Sequence, residues 1–303
     1  MKPQPLTKVM YIGGIEAGGT KVNCAVGTTD GRIIDQTQFP TTTPQETIAQ
    51  MLDYFADKEI GSLGVASFGP IDPNPASPTY GYILDTPKPH WSHYNLLADI
   101  KRALPVPVFF DTDVNGAALA EHYWGAAKGL SACVYLTVGT GIGGGAYVDG
   151  KLVHGLLHPE MGHIYVRRHQ HDSFAGACPF HGDCLEGMAA GSSLQKRLGM
   201  AGKDLPENHQ VWDFISYYLA QALINYTMIL SPEVILLGGG VMKQQQLFPK
   251  IRAQFANLLG GYIKRAPLPD DLEKYIRFPE LGDFAGLYGA LALAVPAKGK
   301  SQL

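Results

Sequence analysis

Apolar and polar positions between residues 9 and 39 fall into three short runs, VMYIGGIE, VNCAVG and RIIDQTQF, separated by the turn AGGTK and by Asp30-Gly31. This pattern predicts three antiparallel strands joined by tight turns. After Thr43-Pro44 the period changes: Ile48, Met51, Leu52 and Phe55 recur at helical spacing, and SLGVASFGP then reads as a buried strand. Residues 70–93 carry no period and are crowded with proline and aromatic side chains. A loop of that length is usually functional, so it is a candidate lid or substrate-contacting segment. A helix (NLLADIKRAL), a strand (VPVFFDTD) and a helix over 115–124 complete the first half.

The pattern then starts over. SACVYLTVGTGIGGGAYVDGKLVH is again strand, glycine turn, strand, Asp149-Gly150 hairpin and strand. The apolar run VWDFISYYLAQALINYTMIL predicts a long helix, EVILLGGG a strand, KQQQLFPKIRAQFANLL a helix and 284–294 a last helix. Two halves that open on the same ribbon predict a duplicated α/β chain with a ligand cleft between domains. The expected division is 1–120 and 121–283, with a C-terminal helix over about 284–303 packing back on the first domain.

Composition narrows the chemistry. The chain has 303 residues, 46% of them hydrophobic, and a formal net charge of -3. Neither nucleic acid nor an anionic membrane is expected as a partner of such a surface. No apolar run is long enough for a membrane span, and the start MKPQPLTKVMYIGG lacks a signal-peptide core, so a cytoplasmic location is expected. There the four cysteines stay reduced. Cys24 and Cys133 lie in apolar strand runs and read as buried small hydrophobes.

Cys178, His181 and Cys184 are different, because their spacing lets one tight loop present two thiolates and an imidazole to a single ion. A fourth ligand is needed, and spacing alone leaves His163, His169 and His171 open. Glycine-rich backbone follows three strands, at Gly18-Gly19-Thr20-Lys21, at Gly139-Thr140-Gly141 and at Gly238-Gly239-Gly240. Such turns bring backbone N–H groups to phosphate oxygens, with Thr and Lys as added donors. The first is not a Walker A loop, since it ends Thr-Lys and precedes a strand. Gly139, Gly141 and Gly144 fit G-x-G-x-x-G, but no helix follows to hold a pyrophosphate. A phosphoryl transfer to a hydroxyl also needs a carboxylate near that hydroxyl. Asp113, at the end of a strand and the start of a helix, is well placed, with Asp111 as a competitor and helix capping as the plain structural role.

The paired hairpin turns resemble those of the sugar kinase, heat-shock ATPase and actin superfamily, whose two ribonuclease-H-like domains clamp ATP. GGIEAGGTK at 13–21, DTDVNGAALAE at 111–121, LTVGTGIGGG at 136–145, HPEMGH at 158–163, CPFHGDCLEG at 178–187 and LLGGGVM at 236–242 are similar to the ROK family (repressors, open reading frames and kinases). The resemblance implies duplicated ribonuclease-H-like (actin/hexokinase-type) domains, ATP with Mg²⁺ at the three glycine turns, and Asp113 as general base. It implies Gly69, Thr112, Asp113, Glu160, His163 and Glu186 as sugar contacts, Thr112 standing where the family commonly has Asn. It also makes His163 the fourth ligand, giving a closed and therefore structural Zn²⁺ site in segment 160–186. SFGPID, SPTYGYILDTPKPHW and the Cys-Pro-x-His-Gly-x-Cys-x-Glu-Gly motif are similar to the bacterial fructokinase branch. That similarity implies ATP-dependent phosphorylation of fructose at its 6-hydroxyl, with a mannokinase, a glucokinase or a silent sugar sensor as competing functions. With fewer than ten residues ahead of Val9, a repressor's helix-turn-helix is not expected, and the resemblance implies a homodimer, as is common in the family.

Overall fold

A computed structural model describes residues 10–296, so Val9 and 297–303 lie outside the described residues. The chain forms two units, each with its own five-stranded sheet. In the first, β1 (Tyr11–Ala17), β2 (Lys21–Thr28) and β3 (Ile33–Pro40) make the antiparallel ribbon that the two turns predict. Helix α1 (Pro44–Phe55) starts where Pro44 has no N–H to lose and the Thr43 hydroxyl accepts the Glu46 N–H. Strand β4 (Leu63–Ser67) is buried at every position and pairs parallel with β1. The 70–93 segment is tied down and not free: the Trp91 ring is fully buried and its Nε1–H donates to the Thr42 carbonyl at 2.8 Å. Within and just after it lie β5 (Tyr82–Ile83) and β6 (Tyr94–Asn95), paired as a two-stranded ribbon. Helix α2 (Leu96–Ala103), strand β7 (Val108–Thr112) and helix α3 (Asp113–Trp124) complete this run, giving the order β3-β2-β1-β4-β7.

The second unit repeats that order. Strands β8 (Ala132–Val138), β9 (Ile142–Val148) and β10 (Lys151–Leu152) form the ribbon. Two short helices, α4 (Leu185–Ala189) and α5 (Gly191–Leu198), precede the long α6 (Val211–Leu230). Helix α6 is apolar around most of its surface because α4 and α7 (Leu247–Leu259) pack against it, with Trp212, Ile215, Tyr218 and Leu219 fully buried. No described helix is long and apolar enough to cross a membrane. Strand β11 (Val234–Gly238) runs parallel to β8; after α8 (Leu272–Tyr275) comes β12 (Ile276–Arg277), and the order is β10-β9-β8-β11-β12.

The last helix, α9 (Ala285–Ala294), belongs to the first unit and packs on β1, β4 and α3. Its fit is set by absent side chains: a Cβ on Gly64 would lie 2.0 Å from the Ala290 carbonyl oxygen, and one on Gly289 would lie 2.5 Å from the backbone of Gly116. Leu287 and Leu291 are buried there against Ile12 and Ala25, which contributes about 1.5–3 kcal/mol per leucine. The first unit runs to Trp124, past the expected boundary at 120, and also takes in Leu156–His158. That excursion reaches back far enough for His158 Nε2 to accept the Ile71 N–H at 3.1 Å.

Candidate active site

In the first unit the strand register gathers the chemistry at one edge. Ala17 pairs with Ser67, and Ser67 with Thr112, so β1, β4 and β7 end level with one another. The residues that follow each strand are the Gly18 turn, Gly69 and Asp113, and the carboxyl ends of parallel strands are where such folds bind ligands. The Gly18 N–H donates to the Lys21 carbonyl at 3.0 Å, and Thr41 fastens the turn by donating its hydroxyl to the Gly18 carbonyl at 2.6 Å. Space beside Gly19 is open, and Thr20 and Lys21 are exposed. Gly69 is exposed in the turn held by His158.

Asp111 and Asp113 separate by environment. The Asp111 carboxylate is buried, 4% exposed, and accepts the Thr112 N–H at 2.7 Å and the Asn115 amide at 2.8 Å. Its work is to hold the start of α3. Capping falls to Thr112, whose hydroxyl accepts the Asn115 N–H at 3.1 Å. Asp113 is half-buried and accepts the Val114 N–H at 2.9 Å through one oxygen. Asp111 and Thr112 thus hold the start of α3 from buried positions, whereas Asp113 is the more exposed of the two acids.

Glu16 was not singled out by pattern, although a lone acid in the run GGIEAGG was the available signal. It lies just ahead of the Gly18 turn, takes the Asn23 amide at 2.7 Å and sits against the first turn of α9, where a Gly286 Cβ would meet its Oε1 at 2.0 Å. Burial raises its carboxyl above the ordinary range, against the hydrogen bond from Asn23 and the charge of Lys21.

In the second unit Gly238 pairs with Thr137, which sets Gly239 and Gly240 beside the β8–β9 turn. Gly239 has φ +89°, and a Cβ there would lie 2.6 Å from the Val138 carbonyl oxygen, so only glycine fits. The turn itself is held from behind: the first N–H groups of α5, those of Gly191 and Ser192, donate to the Gly139 and Thr140 carbonyls at 2.7 and 3.1 Å. This leaves the open space beside Gly139 on the other side.

Glu186, on α4, joins this turn to a cluster of histidine and cysteine side chains. Its Oε2 accepts the Ile142 N–H at 2.9 Å, and its Oε1 lies 3.9 Å from His163 Nε2. His163 ends a 3₁₀ turn, Met161–His163, that Glu160 introduces, and Glu160 is exposed. That turn lies so close to β9 that a Cβ on Gly162 would stand 1.8 Å from the Ile142 carbonyl oxygen.

His163, Cys178, His181 and Cys184 present donor atoms that all lie within 4.8 Å of one another. His163 Nδ1 is 3.8 Å from the Cys178 sulfur and 3.6 Å from that of Cys184, while His181 Nδ1 is 3.7 Å from the Cys178 sulfur. A tetrahedral ion bound at ordinary Zn–S and Zn–N lengths would hold sulfur and nitrogen about 3.6 Å apart. The donor set fits zinc in identity and spacing. Burial holds the Cys184 thiol above the usual thiol range, so a cation is what would make it a thiolate. His169 is excluded from this cluster and instead packs its ring on Phe214 and Tyr217. The segment is anchored by a buried ion pair: Arg197 donates to Asp172, which also accepts the Tyr218 hydroxyl at 2.7 Å, and the guanidinium lies 4.2 Å from the Phe174 ring centre.

The likenesses to known proteins cover this whole arrangement. Residues 12–297 match the ROK family. A fructokinase of Lactococcus lactis subsp. cremoris is 48% identical over 271 residues, 89% of this chain and 91% of the relative. One of Zymomonas mobilis is 44% identical over 298 residues, 95% of this chain and 97% of the relative. Among solved structures, a ROK hexokinase from Thermus thermophilus superposes with a TM-score of 0.77 at 26% identity, covering 94% of this chain and 98% of that one. With two sheets of one order, glycine turns at their carboxyl edges and a family match over nearly its full length, the chain belongs to the ROK family and has the duplicated α/β fold of its kinases.

Proposed function

We propose that the protein transfers the γ-phosphoryl group of ATP to the 6-hydroxyl of fructose. The observation that carries the sugar assignment is the identity of 44–48% to fructokinases across nearly the whole chain. The site supports the chemistry. Backbone N–H groups of the Gly18 and Gly139 turns take phosphate oxygens, and Gly238, Gly239 and Gly240 line the adenosine side. Glu160, His163 and Glu186 take sugar hydroxyls, since a carboxylate accepts two at once and sorts sugars by geometry. Asp113 accepts the proton of the attacking hydroxyl, and Thr112 and Gly69 flank it on the sugar side. Mg²⁺ bound with ATP would supply countercharge for the phosphates, and Glu16, just ahead of the Gly18 turn, would be the acid that faces it. His163, Cys178, His181 and Cys184 would hold a structural Zn²⁺, which would fix the orientation of the His163 ring, whose Nε2 lies 3.9 Å from Glu186.

Coupled ADP release on fructose, mannose and glucose tests the reading. Fructose should give the highest kcat/KM; a higher value on either other sugar overturns the sugar assignment, and no turnover on any overturns the enzyme. Asp113→Asn should lower kcat by about 10²–10⁴-fold, the usual worth of a general base, with fructose affinity nearly unchanged. Wild-type turnover in that variant removes Asp113 from the base role. A homodimer in the cytoplasm completes the proposal, and sedimentation at working concentration tests the dimer.

A further inference from the structure

The second unit has a cavity of about 710 Å³ that none of the groups above uses. Its walls include Lys128 and Leu130, just before β8, and Ser231, Pro232 and Glu233, just before β11. It therefore opens at the opposite ends of these strands from Gly139 and Gly239. At about 3.3 Å per residue, β8 alone separates the two places by roughly 20 Å.

The charge on this wall is one-sided. Lys128, Arg265, Lys274 and Arg277 line it, against the single carboxylate of Glu233. Glu233 is already engaged, accepting the backbone N–H groups of Ser131 and Ala132. Lys274 is paired with Asp271 at 2.6 Å. Among the described residues no ion pair is found for Lys128, Arg265 or Arg277. The carboxyl end of α6, at Leu230, also points its last carbonyls here, but a helix terminus is worth about half a charge and one lysine would balance it. With Glu233, Asp271 and the helix terminus all counted against the four cations, the wall keeps a net positive charge of between about one and two.

The remaining lining is apolar, from Ile263, Leu268 and Val234, and the Thr227 and Tyr275 hydroxyls meet 2.9 Å apart in it. The volume is that of a pocket for a small molecule rather than for a lone ion. We propose that this cavity is a second ligand site, remote from the glycine turns, that takes an organic phosphate of sugar-phosphate to mononucleotide size. Arg265 and Arg277 grip the phosphate, as paired guanidinium groups do best, while Lys128 adds charge and the apolar wall receives the organic body. This holds whichever sugar the enzyme phosphorylates.

The probe is fructose 1,6-bisphosphate, titrated calorimetrically into full-length protein whose catalytic site is saturated with fructose and a non-hydrolysable ATP analogue. One equivalent should bind saturably, and Arg265→Ala/Arg277→Ala should weaken it tenfold or more while leaving kcat and the melting temperature unchanged. Lys128→Ala, at an exposed position, should weaken it severalfold and serves if the double variant folds poorly. Absence of saturable binding, or equal binding to both variants and wild type, overturns the site. Inorganic phosphate binding as tightly as the bisphosphate overturns the organic part of the assignment.

Discussion

Alanine at Gly141 and alanine at Gly139 should have opposite consequences, although the two glycines share one turn. At Gly141 the new Cβ would lie 2.6 Å from Glu186 Oε2, closer than any real contact, whereas at Gly139 it would meet no protein atom within 4 Å. The carboxylate is the end that can move, so Gly141→Ala displaces it and breaks its hydrogen bond from the Ile142 N–H, now 2.9 Å long. A hydrogen bond to a charged group contributes about 1.5–3 kcal/mol, which corresponds to roughly 10- to 100-fold in an equilibrium or rate constant. The loss should appear in kcat/KM for fructose, because the same carboxylate faces His163, and as a lower melting temperature. Gly139→Ala should leave stability and the fructose KM alone and raise the ATP KM, since its methyl group would point into open space where the proposed phosphate site lies. Steady-state kinetics in both substrates, with thermal unfolding of each variant, decide it. Equal effects of the two substitutions on the fructose KM would refute the idea that Glu186 ties the phosphate turn to the sugar wall.

The remaining predictions concern the metal segment and its anchor. Chelating the proposed Zn²⁺ should lower the melting temperature and raise the fructose KM, because His163 would lose the bond that orients it; unchanged sugar affinity in protein verified as metal-free would sink that link. Arg197→Met leaves the Asp172 carboxylate, 5% exposed, without its countercharge and should cost about 3–5 kcal/mol in a urea titration. A loss below about 1 kcal/mol would mean that Tyr218 suffices. Burial pushes the Asp172 carboxyl up, but the hydrogen bonds from Arg197 and Tyr218 outweigh it and hold the group below its ordinary value of 3.8. A depressed folded value means that this stability is present above pH 3.8 and is lost as the pH falls below it towards the folded value. Acid unfolding should therefore be steep below about pH 4 and flatter in Asp172→Asn, as followed by circular dichroism.

Strand periodicity and repeated turns made most of both sheets legible, because a ribbon that opens on a Gly-Thr turn and closes on Asp-Gly appears twice. What escaped was set by distance along the chain. Strand β12 has two residues, follows directly on the single turn of α8 and is a strand only because β11 lies beside it. Helices α4 and α5 are short and meet at Ala190, so no helical period accumulates. Three members of the His/Cys cluster were legible from local spacing, and the choice of His163 came from the family resemblance and not from spacing, because its approach depends on where the 3₁₀ turn at Met161–His163 folds. The separation of Asp113 from Asp111 needed the side chain of Asn115, and the bond from Ile142 to Glu186 spans a sequence gap that no local pattern encodes. The return of Leu156–His158 to the first unit carries no periodic signal at all.

The placement of α9 sets an order of assembly. The Ser62 hydroxyl donates to the Ala294 carbonyl across 232 residues, and Gly64 and Gly116 are shaped to receive a helix that is synthesised after the whole of the second unit. The second unit is contiguous apart from one short excursion and has all its strands and helices by Asp283. It can close its core while the first unit still exposes Ile12 and Ala25 to solvent. During synthesis the first unit should thus be the later one to complete its core, with an apolar face left uncovered until α9 arrives.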